Sequence, residues 1–193
     1  MKINDQHLIE GIKRDMLPGG SEMPIRRFLV IHFTSGASGQ SSINFWKTPE
    51  AKGASAHLVI ERDGTVIQCR PFNRTCGHAG KSRWKGFDGL NSCSIGIELA
   101  NAGDDSRLGR KWSKSPPVKA RHKNETTTKE WEAYPEEQVQ ACITVAKLLV
   151  ARYKLDDVIG HEDIAPNRKN DPGPAFPMGR LRQACGFPEA ITP

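Results

Sequence analysis

The apolar residues of this chain follow several spacings, and each predicts a different element. Phe28-Leu-Val-Ile-His32-Phe33 is apolar without alternation, as expected of a strand covered on both faces. Ala56–Arg62 and Thr65–Arg70 flank Asp63-Gly64, and two such runs around Asp-Gly predict a hairpin. Ser94–Leu99 alternates: Ile95, Ile97 and Leu99 share one face, and Ser94, Gly96 and Glu98 share the other. Val139, Cys142, Ile143, Ala146, Leu149, Val150 and Tyr153 keep the three-and-four spacing of an amphipathic helix. Pro135 marks its first turn, where Glu136 and Glu137 complement the helix dipole.

Weaker signals predict three short helices. Asp5 caps one whose stripe is Leu8, Ile9 and Ile12. Ser41 and Ser42 cap another through Phe45 and Trp46, and a last one holds Leu181 to Cys185. Residues 103–131 are rich in Gly, Ser, Pro, Lys and Thr and read as a long loop or insertion. Strands interleaved with helices predict a single α/β (α+β) domain, a mixed central sheet flanked by helices. The expected division is an N-terminal helical extension over 1–25 and the main domain over 26–193.

Composition narrows the class. A chain of 193 residues suffices for one domain with a full core. No apolar run approaches the roughly 20 residues of a membrane span, so no membrane insertion is expected. The N-terminus MKINDQHLIEGIKRDML contains acids and lacks an apolar signal core. The expected location is therefore cytoplasmic as synthesised; for any action outside, something else must release it. The five cysteines form no CxxC pair, which predicts reduced thiols and neither a disulfide framework nor a thiolate zinc site. The net charge of +6 is concentrated: Arg107 to Lys123 holds seven Lys or Arg and no acid. That stretch reads either as a surface for an anionic partner or as a solvated, mobile insertion.

Candidate chemistry gathers near the C-terminus, where Gly160-His-Glu-Asp-Ile-Ala-Pro-Asn-Arg-Lys-Asn-Asp171 brings His161, Lys169 and Asp171 into one short stretch. Imidazole and carboxylate are zinc ligand types, and three protein ligands leave the fourth tetrahedral position to water. If the stretch is extended, Lys169 and Asp171 point the same way. His32 sits in an apolar strand, where a histidine needs a partner; it is either a hydrogen-bonded core residue or a third ligand. Glu98 shares its face with Ser94 and Gly96. These small residues leave room beside the carboxylate, as a general base needs; the alternative is an edge glutamate facing solvent.

Five blocks in order, "VIHFT", "ASAHLVIERDGTVIQ", "GHAG", "SIGIELAN" and "GHEDIAPNRKNDPGPAF", resemble the zinc-dependent N-acetylmuramoyl-L-alanine amidases of type 2, a group related to peptidoglycan-recognition proteins. The resemblance covers about residues 26 to 185. It implies one Zn²⁺ in a surface groove, with His32, His161 and Asp171 as ligands. Glu98 then activates water, and Lys169 stabilises the oxyanion. His78 matches a position lining the substrate groove. His57 matches one on the hairpin, with a supporting or core imidazole as its simpler reading. The implied reaction is hydrolysis of the amide between N-acetylmuramic acid and L-alanine in peptidoglycan or a muropeptide.

The basic residues 107–123, read as facing an anionic cell-wall polymer, favour a lytic, endolysin-like role. The alternative is a cytosolic recycling amidase acting on anhydro-muropeptides. A binding module without catalysis conflicts with the filling of all three ligand positions. A metal nuclease, suggested by Trp84 and Trp112 near basic residues, conflicts with a basic stretch that looks like an insertion, so no nucleic-acid partner is expected. The chain departs from the family pattern at Cys76-Gly77, where many relatives carry an aromatic residue before the histidine, and at the stretch 104–130, which is expected to reshape one wall of the groove.

Overall fold

The computed structural model describes residues 1–190. In chain order the elements are β1 (Lys13–Arg14), β2 (Phe28–Phe33), α1 (Gly39–Trp46), β3 (Leu58–Ile60), β4 (Val66–Gln68), β5 (Arg83–Trp84), β6 (Phe87–Asp88) and β7 (Ser94–Leu99). Then come α2 (Ser106–Trp112), β8 (Val118–Arg121), β9 (Thr128–Trp131), α3 (Glu136–Tyr153), β10 (Asp157–Gly160), α4 (His161–Ile164) and α5 (Met178–Ala184). Six strands form a mixed sheet in the order β1-β4-β3-β7-β2-β10. Its pairs are parallel except for the β3–β4 hairpin.

The predicted strand patterns hold because both faces of the sheet are covered. Leu29 and Ile31 of β2, with Ile95, Ile97 and Leu99 of β7, pack against Val139, Cys142, Ala146 and Leu149 of α3. Phe28 and Val30 face the other way, onto Ala79, Trp84, Leu90 and Ile159. His32 follows Phe28 and Val30 in the alternation, and Glu98 follows Ser94 and Gly96. The register pairs His32 with Glu98 directly across β2 and β7, so both side chains rise from the same face.

Three expectations change. The first 25 residues contain no helix. His7 and Gly11 hold positive φ, at 60° and 75°, which no continuous helix tolerates. The segment instead adds β1 to the sheet edge and buries Ile9 and Met23 completely in the main core. Ile9 is fixed there by its amide, which donates to Gln68 Oε1 at 2.8 Å. Helix α1 is capped by Ser38 rather than by Ser41 or Ser42: the Ser41 amide donates to Ser38 Oγ at 3.0 Å, and Ser41 reciprocates toward the Ser38 amide. Residues 103–131 are ordered as α2 and the β8–β9 hairpin. Apolar periodicity gives no hint of them, because their anchors are His122, Trp131 and Glu132, a polar and aromatic set. All five cysteines are free thiols. No described helix is long and apolar enough to cross a membrane.

Candidate active site and metal centre

Strands β2 and β10 run side by side, with Gly160 level with Ile31. Each therefore delivers a histidine at its C-terminal end: His32 near the end of β2, and His161 as the first residue of α4. The chain then loops back, and the Glu162 amide donates to the Asp171 carbonyl at 2.9 Å, which returns Asp171 to the same point. His32 Nδ1 lies 2.9 Å from His161 Nδ1 and 2.9 Å from Asp171 Oδ2, and His161 Nδ1 lies 3.0 Å from that oxygen. All three residues are buried.

The outer nitrogens decide which atoms carry protons. His161 Nε2 donates to the Ala79 carbonyl at 3.1 Å, so its Nδ1 presents a lone pair. His78 Nε2 donates to the Ser94 carbonyl at 3.3 Å, so His78 Nδ1 is an acceptor. It accepts from His32 Nε2 at 2.9 Å, which leaves a lone pair on His32 Nδ1 as well. Burial, then the adjacent His161, hold the His32 pKa down to about 4, so this ring is neutral at pH 7. Two nitrogen lone pairs and a carboxylate oxygen thus converge within 3.0 Å. Facing acceptors without a proton repel one another, and a cation is what makes the arrangement favourable. The donor set, with two imidazoles and one carboxylate, fits zinc.

Glu98 stands beside this cluster. Its Oε2 is buried and has no hydrogen-bond partner among the described residues. Burial, then the Asp171 carboxylate, push its pKa well above the usual range, while Lys169 acts against them. A carboxyl with raised proton affinity is suited to take a proton from water. Lys169 lines the same cavity of about 310 Å³ as His32, Glu98, His161 and Asp171.

The structure thus brings together the five residues expected at the reacting centre, and places His78 beside them and His57 behind them. His78 borders the cavity, yet both of its ring nitrogens are committed, one to His32 and one to Ser94, so neither is free to meet a substrate. The room left by the small residues before Glu98 is taken up by this ring: a Cβ on Gly96 would lie 2.6 Å from His78 Cγ. His57 is fully buried. Its Nδ1 accepts from the Gly96 amide at 3.1 Å and its Nε2 donates to the Arg74 carbonyl at 2.8 Å. It is a core imidazole. The sequence pattern gives no sign of the backbone acceptors at Ala79 and Ser94, although the "GHAG" block marks where one of them lies.

Burial chiefly holds the His57 pKa down to about 4. Between pH 6.5 and 4 the unfolded chain therefore binds a proton that the folded protein refuses. Stability falls as pH drops through this window, by up to about 3 kcal/mol from this residue. Urea unfolding from pH 7 to 4 should show the loss, and His57→Gln should flatten the slope; identical slopes would refute the assignment.

Comparison with known proteins agrees with this geometry. The chain is 36% identical over 169 residues to the N-acetylmuramoyl-L-alanine amidase AmiD of Escherichia coli, covering 83% of this chain and 53% of AmiD. It is 37% identical over 130 residues to the 1,6-anhydro-N-acetylmuramyl-L-alanine amidase AmpD of Salmonella typhimurium, covering 66% of this chain and 55% of AmpD. The chain thus spans about half the length of these curated relatives. Among solved structures, a complex of E. coli AmiD with anhydro-N-acetylmuramic acid-L-Ala-D-gamma-Glu-L-Lys superposes with a TM-score of 0.67 at 31% identity, covering 89% of this chain and 62% of that one. A selenomethionine derivative of AmpD gives 0.67 at 28% identity, covering 93% and 97%. A family model described as N-acetylmuramoyl-L-alanine amidase matches residues 21–174, the span that contains His32, Glu98, His161, Lys169 and Asp171, and the chain belongs to that family.

Proposed function

We propose that this protein is a zinc-dependent amidase that hydrolyses the amide between N-acetylmuramic acid and L-alanine in anhydro-muropeptides. The observation that carries the proposal is the convergence of two imidazole lone pairs and one carboxylate oxygen beside an unpartnered, buried glutamate. His32, His161 and Asp171 would hold the zinc ion, which when bound would supply Lewis-acid polarisation of the scissile carbonyl and acidify water at the site. Glu98 takes the proton of the attacking water and delivers it to the leaving amine. The Lys169 ammonium faces the oxygen on which negative charge develops, an interaction stronger in the transition state than in the ground state. His78 holds His32 in the tautomer that offers Nδ1.

The relatives favour a soluble muropeptide over the intact wall. AmpD is named for a 1,6-anhydro-muramyl substrate, and the AmiD complex holds an anhydro-muramyl peptide. The likeness to the endolysin LysCS of Clostridium intestinale, at 18% identity, extends to the fold alone. The basic stretch that suggested a lytic role is also partly neutralised: Arg110 pairs with Glu130, and Lys123 pairs with Glu162 and Asp163. Incubating the zinc-loaded protein with soluble anhydro-muropeptides and with purified sacculi tests both points. Release of peptides headed by L-alanine, faster from the soluble substrate, is expected. Release from neither overturns the proposal, and faster release from sacculi restores the lytic role.

Lys169→Met is expected to lower kcat by on the order of 10²–10³ with little change in KM, the cost of one oxyanion partner. Steady-state kinetics on the soluble substrate would show this; a KM effect alone would make Lys169 a binding residue.

A further inference from the structure

The β8–β9 hairpin supplies none of the three converging donor atoms, yet it grips both turns that carry His161 and Asp171. His122 follows β8 and is buried. Its Nδ1 accepts from the Asn124 amide at 3.1 Å, so Nε2 carries the proton and donates to Glu162 Oε2 at 2.7 Å. Lys123 Nζ meets the other oxygen of Glu162 at 2.8 Å. Glu162 is the residue after His161, and its Oε2 also accepts from the Gly173 amide at 3.1 Å. Its own amide donates to the Asp171 carbonyl. One buried carboxylate therefore ties the His161 turn to the Asp171 turn. Trp131 of β9 completes the contact: it stacks on His122, with centroids 5.8 Å apart, and a Cβ on Gly173 would lie 2.7 Å from its ring.

We propose that His122 and Glu162 are positioning residues of the metal centre. The hairpin is a brace that fixes the distance between His161 Nδ1 and Asp171 Oδ2, and thereby sets how tightly zinc is held. The inference rests on the assignment of His32, His161 and Asp171 as zinc ligands. His161 and Asp171 stand on two turns that the sheet does not join to each other, and the Glu162 carboxylate fastens them together. Burying that carboxylate is unfavourable unless it is partnered, and the hairpin provides two of its partners. A hairpin that only stabilised the fold would contribute to the melting temperature and leave the metal affinity unchanged. Groups that orient metal ligands typically contribute 10–100-fold to metal affinity.

The test follows zinc release from the loaded 193-residue chain into excess chromophoric chelator. His122→Ala is expected to release zinc about 10–100 times faster than wild type. His122→Gln, which retains an N–H donor toward Glu162, should release at a rate between the two. Lys119→Ala, on the exposed face of β8, should match wild type. Wild-type release from folded His122→Ala overturns the proposal. If His122→Ala does not fold, Lys123→Met decides: faster release supports the brace, and an unchanged rate overturns it. A wild-type chain that retains no zinc is a separate result, seen before any variant is made. It removes the metal assignment and the brace with it.

Discussion

Replacing Glu98 by glutamine is expected to lower turnover by on the order of 10²–10⁴, the contribution of a positioned general base, while zinc content stays at the wild-type level. The two halves of this expectation have separate causes. Glu98 is not among the converging donors, so the metal keeps its three ligands. Among the described residues its carboxyl is the only group of the cavity with both a raised proton affinity and a free oxygen, so none of them replaces it. Folding stability should not suffer. A buried carboxylate without a hydrogen-bond partner is unfavourable in the native state, and a neutral amide of the same shape relieves that cost. Turnover assays on a soluble muropeptide, with metal analysis of the same sample, give both readings. Turnover within about tenfold of wild type would remove Glu98 from the role of base.

The second large effect concerns Asp171. Asp171→Ala is expected to weaken zinc binding by more than about 100-fold, the upper end seen for groups that only orient ligands, and to abolish turnover at ordinary zinc concentrations. Its effect on the metal-free protein should have the opposite sign. Removing the carboxylate takes away one of three mutually repelling acceptors, so metal-free Asp171→Ala should melt no lower than metal-free wild type. Zinc then raises the melting temperature of wild type and not of the variant, because only a bound ligand adds stability through mass action. Thermal melts with and without zinc show this pattern. A variant that is still stabilised by micromolar zinc would place another donor in the site.

The frame of this fold is written in its apolar spacing. The unbroken run Phe28–Phe33 announces a strand with two covered faces, and α3 follows from the spacing of Val139 to Tyr153. The spacing marks where the site lies, while the roles of its residues are implied only by the family blocks. His32 and Glu98 interrupt buried strands, where a polar side chain is tolerated only with a partner. Elements held by polar contacts were not readable. His122 and Glu162 are forty residues apart in sequence and show no period. The N-terminal segment carries apolar residues at helical spacing, but its left-handed residues at positions 7 and 11 decide the backbone. The structure turns the ring nitrogens of His78 to His32 and Ser94 and those of His57 to backbone at Gly96 and Arg74; a histidine in a family block can equally be one that holds its neighbours in place. Only the direction of its two ring nitrogens separates the two cases.

The position of β2 and β7 inside the sheet has a consequence for assembly. Each has a hydrogen-bonded strand on both sides, so their amides belong to the part of the molecule that opens last. The two strands that carry His32 and Glu98 are thereby fixed by the sheet itself. Small zinc domains collapse only around their metal; a chain whose frame is a set of strand pairs is expected to lose and regain an ion as a folded body.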